Sequence, residues 1–208
     1  MSNLTHHRSG DSAVAERAGV HPEGKGLNGF LLDWYRSEPR GVAAKPRRQV
    51  LAEFFTSMLV LSANFRYRPV IGVPNYLYLV NGEWALSLIA PDEWTEEKRA
   101  GFAGMCTLQR DMTWTIAPAD RLAEDNAVSA AIGRFYDAFA RTLDTDLTLA
   151  EILPFYADRL PYYQRLYASA LSRSIRASVT LGSQESTTCR DWLMLLPQLD
   201  VALLAHRR

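Results

Sequence analysis

Cysteine and histidine are scarce in this 208-residue chain, and neither is placed for chemistry. Two cysteines, Cys106 and Cys189, are too few for a disulfide framework and lack metal-ligand spacing, so they read as inert thiols in a reducing compartment. The histidines stand at positions 6, 7, 21 and 206, all outside the predicted fold. A histidine base or zinc centre would therefore have to borrow a terminus. Charge of one sign is not in excess either. Lys plus Arg and Asp plus Glu both total 23, so no global field draws the chain toward nucleic acid or an anionic membrane. The longest apolar run, 50–65, is interrupted by Glu53, Thr56, Ser57 and Ser62 and falls short of the roughly 20 apolar residues of a membrane span. The stretch up to Gly26 has no apolar leader core, which predicts no secretory signal. A cytoplasmic protein without a membrane partner is the expectation.

Catalytic templates are missing as well. "PEGKGLNG" holds Gly-Lys-Gly but has no strand before it and no hydroxyl for magnesium, so Lys25 reads as a loop lysine. The acid pairs Asp92/Glu93 and Glu96/Glu97 adjoin Lys98 and Arg99 on what reads as a solvated turn. No catalytic residue, metal ligand or cofactor is expected from these patterns.

What is present is enough apolar material for a core, with 48% hydrophobic and 11% aromatic residues. Residues 1–22 are polar and aperiodic and read as a disordered tail, and 23–208 as one α+β domain. A short helix is expected at 28–36, with Phe30, Leu31, Leu32, Trp34 and Tyr35 packing on the body. From Arg47 to Phe65, Val50, Leu51, Phe54, Met58, Leu61 and Phe65 share one helical face, with Glu53, Ser57 and Asn64 opposite. The period then changes, predicting a sheet of about four strands within 70–117. One hairpin spans 76–89 and turns at Asn81-Gly82; a second spans about 104–117 and turns near Arg110-Asp111. Pro91 and the acids and bases after it suit a helical turn or two between the hairpins. A layer of three to four helices follows over about 120–206. Its signals are the stripe Val128, Ile132, Phe135, Tyr136, Phe139 and Leu143, a Thr148/Glu151 capping box, a helix opened by Pro161 and closed by Gly182, and a last helix interrupted at Pro197.

A two-residue type I′ loop at Asn81-Gly82 sets Leu79 opposite Trp84 and Leu77 opposite Leu86, a core face. The other face pairs Tyr78 with Ala85 and Tyr76 with Ser87. That face suits a wet binding platform or the dock of the C-terminal helices, and the helices' need for a sheet to cover favours the dock. Trp94 and Trp114, near strand ends, plug a core edge or meet a ligand, and Asp111 is a turn residue before it is an acid. Tyr76, Tyr78, Trp94, Asp111 and Trp114 are thus the candidate binding surface. "WLMLLPQLDVALL" is apolar nearly all round, so either it is central to the helical half or it leaves a patch for a second subunit or partner, with Trp192 and Leu196 as the candidate interaction patch. Local basic runs remain in "RSEPRGVAAKPRR" and "NFRYRP", where Arg with aromatics suits single-stranded nucleic acid, though solvated faces are the commoner outcome.

Three segments, "HPEGKGL", "YLYLVNGEWALSLIAPDEW" and "GMCTLQRDMTWT", carry a likeness to known proteins. Leu77-Tyr78, then Ser87-Leu88-Ile89 with Pro91, Glu93 and Trp94, then Leu108, Asp111 and Trp114 stand in the pattern. On these residues the chain resembles an uncharacterised bacterial domain family with eukaryotic relatives, most specifically over 75–115. The resemblance implies a shared domain and moves no catalytic role, cofactor or partner onto any position. The leading functional expectation is a non-enzymatic interaction or scaffold protein, with a protein partner or self-association. A small-ligand or single-stranded nucleic-acid module comes second, and an enzyme with an unrecognised acid/base site third.

Overall fold

The computed structural model describes residues 26–123, 126–154, 156 and 160–198. The expected tail at 1–22 and the end of the last helix lie outside them. The chain divides into two compact units, 1–36 and 37–208. In the first, α1 (Gly26–Arg36) realises the short helix, with Phe30, Leu31, Leu32, Trp34 and Tyr35 all exposed. The second unit contains everything that follows.

Pro46 opens α2 (Arg47–Leu61), because a residue without a free N–H loses nothing at a helix start. Its burial differs from the one-sided pattern of the sequence. Glu53, Thr56 and Ser57 are as buried as Phe54 and Phe55, since α2 packs on the sheet and on two later helices at once. Ser57 has a specific task there: its hydroxyl donates to the Glu53 carbonyl and accepts the Trp114 amide at 2.8 Å, satisfying a strand-edge N–H.

The sheet is antiparallel, in the order β2-β1-β3-β4, built from β1 (Pro74–Val80), β2 (Glu83–Ser87), β3 (Phe102–Leu108) and β4 (Trp114–Pro118). Leu79 faces Trp84, Leu77 faces Leu86, Tyr78 faces Ala85 and Tyr76 faces Ser87, as the turn chemistry requires. Asn81 and Gly82 take φ of 52° and 81°, the left-handed pair of a type I′ loop. Between the hairpins run a 3₁₀ turn (Pro91–Glu93) and α3 (Glu96–Arg99), as expected. The β1–β3 ladder slips between Leu77 and Tyr78, where Leu79 N–H donates to the Gly101 carbonyl at 2.8 Å. A Cβ on Gly101 would press into the Leu79 carbonyl, which is backbone and cannot swing aside. Gly101→Ala should therefore cost about 1–3 kcal/mol in chemical denaturation, as overpacking does.

The C-terminal layer comprises α4 (Ala127–Leu143), α5 (Leu149–Ile152), α6 (Tyr162–Leu181) and α7 (Cys189–Leu193). Thr148 and Glu151 form the capping box, the Glu151 carboxylate accepting from the Thr148 amide at 2.7 Å. Helix α2 packs on the sheet at β4 and α4 and α6 pack on α2, and the sheet face bearing Leu77, Leu86, Cys106, Leu108, Trp114 and Ile116 belongs with these helices to one core. No described helix is long and apolar enough to cross a membrane.

Candidate functional site

Because the helices take one face, the tyrosine face of the sheet is left to the rest of the chain. Among the described residues, the C-terminal helices do not form the expected dock on Tyr76 and Tyr78. Tyr78 is nonetheless buried at 2% exposure, and its cover is the connector between the hairpins. Its hydroxyl donates to the Ile89 carbonyl at 3.0 Å, its ring meets Trp94 edge-on at 6.2 Å, and Phe102 lies 5.4 Å away. Burial pushes the Tyr78 phenol up to about 12, so it stays neutral at physiological pH. The connector is fastened to itself: Arg99 donates to the carbonyls of Pro91 at 3.0 Å and Trp94 at 3.3 Å, and Lys98 Nζ stands 3.9 Å over the Trp94 ring.

Beyond that cover the face is open. Tyr76 is half-buried beside Met105, its register partner, which is 39% exposed, and Ile89 at the margin is 41% exposed. Small residues flank this centre: Ser87 on β2, Thr107 on β3, and Thr115 and Ala117 on β4. Of the strand residues on this face only Glu83, beside the turn, carries a charge.

The other predicted residues separate. Trp114, at 1% exposure, points into the core from the opposite face and offers nothing to a ligand. Trp192 is fully buried, which removes it from any interaction patch. Backbone bonds from Cys189 N to Leu147 O and Arg190 N to Thr145 O pull α7 inward, and Arg47 stacks over the Trp192 ring at 5.8 Å. Leu196 does reach a surface groove of about 520 Å³, shared with Ala52, Met194 and Pro197.

Asp111 belongs to a cluster that sequence reasoning missed. It lies at the β3–β4 tip, and its Oδ2 accepts from Lys45 Nζ at 2.6 Å while Oδ1 accepts from Thr113 N and Oγ1. The same Lys45 nitrogen donates to Glu53 Oε2 at 2.5 Å, and Gln49 donates to Glu53 Oε1 at 2.9 Å. The three charged side chains are at most 16% exposed. Burial opposes the charge on Lys45, but hydrogen bonds to Asp111 and Glu53 outweigh it and hold the ammonium above its ordinary pKa. Burial likewise opposes ionisation of Asp111, and the bonds from Lys45 and Thr113 overcome it, holding the carboxyl below its ordinary value. Neither group changes charge near neutrality, so the cluster ties the 37–46 segment, α2 and the second hairpin together. A backbone bond from Arg40 N to Arg110 O at 2.9 Å adds to it, and the shallow cleft alongside is about 370 Å³. The one advance signal was Glu53, a carboxylate inside an apolar run.

Comparison with protein-family models, with curated proteins and with solved structures finds no match to this chain.

Proposed function

We propose that this chain is a cytoplasmic, non-enzymatic interaction or scaffold protein that docks a protein partner on the open face of its sheet. The observation that carries the reading is the contiguous, nearly uncharged surface around Tyr76 and Met105, left bare while the opposite face holds the core. A bare sheet face with a large exposed thioether and a half-buried aromatic is the composition of an interface centre. The buried free thiols Cys106 and Cys189 are in keeping with a reducing cytoplasm. A nucleic-acid reading draws less support, because no cation stands among the strand residues of this face. Lys45 is engaged by two carboxylates and Arg47 by Trp192.

The test is affinity purification from the chain's own host of the wild type and of Met105→Glu, after circular dichroism shows that both are folded. A stoichiometric partner held by the wild type and lost from the variant is the expected result. A partner retained equally by both rejects this face as the dock.

A further inference from the structure

The open face has a shape and a charge distribution that fit one occupant in particular. Resting on the docking role proposed above, we infer that the partner is a second copy of this chain, bound face to face about a two-fold axis lying across the strands.

The face is a step. At one end the connector rises over Tyr78 and Phe102 and stays up because Arg99 and Lys98 fasten it. At the other end the exposed Pro74 and the half-buried Thr107 and Thr115, on which only the Gln109 side chain lies among the described residues, form a lower row, with Tyr76, Met105 and Ala117 in the row between. Turning one copy about an axis perpendicular to the strands lays the raised end of each on the low end of the other. This is the isologous arrangement that closes a dimer. Tyr76, Met105 and Ala117 then fall close to the axis, where each meets its own counterpart region.

The charges agree with the same rotation. The raised end is acidic, with Glu83 on the strand margin and Asp92, Glu93 and Glu97 on the connector against Lys98 and Arg99. Past the low end, the hairpin tip carries the exposed Arg110, beside Asp111, whose carboxylate is already paired with Lys45. Stacking two copies in antiparallel fashion brings the acidic end of one to the arginine end of the other. Stacking them in the same direction sets like against like. The strands alone supply roughly 15 Å by 20 Å at ordinary strand spacing. The connector and tip extend this footprint toward the roughly 800 Å² per partner of a standard interface, so a reversible dimer in the micromolar range is expected.

Sedimentation velocity on the full chain from about 1 to 200 μM tests this. The wild type should pass from monomer to dimer, and Met105→Glu should remain monomeric throughout. Leu181→Glu, at an exposed site on the helical side, should behave as the wild type. Ala117→Cys gives an independent reading, because both native thiols are buried. A short bismaleimide should couple it to a covalent dimer, and should fail to do so in the Ala117→Cys/Arg110→Glu double variant at the same concentration. A dimer that survives Met105→Glu, or a folded wild type that stays monomeric at every concentration, overturns the inference. A monomeric wild type that still loses a host partner through Met105→Glu would overturn self-pairing and leave the docking role standing.

Discussion

Lys45→Met is expected to destabilise the folded chain by about 3 kcal/mol, the scale for removing one partner from a buried charged cluster. The methionine fills much of the same volume, so the loss comes from electrostatics rather than from a cavity. Glu53 and Asp111 both lose the ammonium they shared. Thermal unfolding should show a fall of about 6–12 °C for a chain of this length.

The pH dependence of the wild type follows from the same cluster. Asp111 has a lowered pKa in the folded chain, so its contribution is complete above the unfolded value of about 3.9 and is lost as pH falls through the folded value. Lys45 has a raised pKa, so its contribution is complete below about 10.4 and is lost as pH rises through the folded value. The stability gap between wild type and Asp111→Asn should therefore be level between about pH 5 and 9 and should narrow below about pH 4. A gap unchanged down to pH 3 would show that Asp111 is not held as an anion.

Trp192→Ala should be as damaging, at about 3–5 kcal/mol, the cost of emptying a fully buried aromatic site. The ring lies under Arg47 and closes the core where α7 meets the 144–148 segment through the Cys189 and Arg190 amides. Leu196→Ala, four positions on and half-buried at the groove, should cost less than about 1 kcal/mol. Urea unfolding of the two variants measures the contrast. Equal losses would place Trp192 at the surface, as its sequence context alone suggested.

That pair of neighbours shows how far local pattern carries. An apolar run says that a segment is hidden but not which residues a fold hides and which it leaves at a groove. Where the relevant interaction is between near neighbours, the sequence is explicit. Asn81-Gly82 permits only a narrow set of turns, and that turn fixes every pair from Tyr76–Ser87 to Leu79–Trp84. Thr148 and Glu151, three apart, form their box wherever the rest of the chain goes. The antiparallel sheet and the helical layer are legible for the same reason.

The candidate site was legible only in part. Tyr76, Tyr78 and Trp94 do share one face of the sheet, because strand alternation and the short connector place them there. Trp114 has the opposite parity on β4 and lies in the core, a fact set by the β3–β4 register rather than by its neighbours. Lys45 and Asp111 are 66 residues apart, and nothing local marks them as partners. Glu53 and Ser57 looked like a wet helix face and are buried, since packing on several sides of α2 is a property of the assembled layers.

The sequence by itself therefore determined the elements, their turns and caps, and the pairing within the first hairpin, all of which rest on contacts a few residues long. Tertiary structure decided which face of the sheet the helices cover, that the connector rather than a helix closes over Tyr78, and which charges meet at Lys45. Those outcomes depend on the total area each packing buries and on groups that only the folded chain brings within reach.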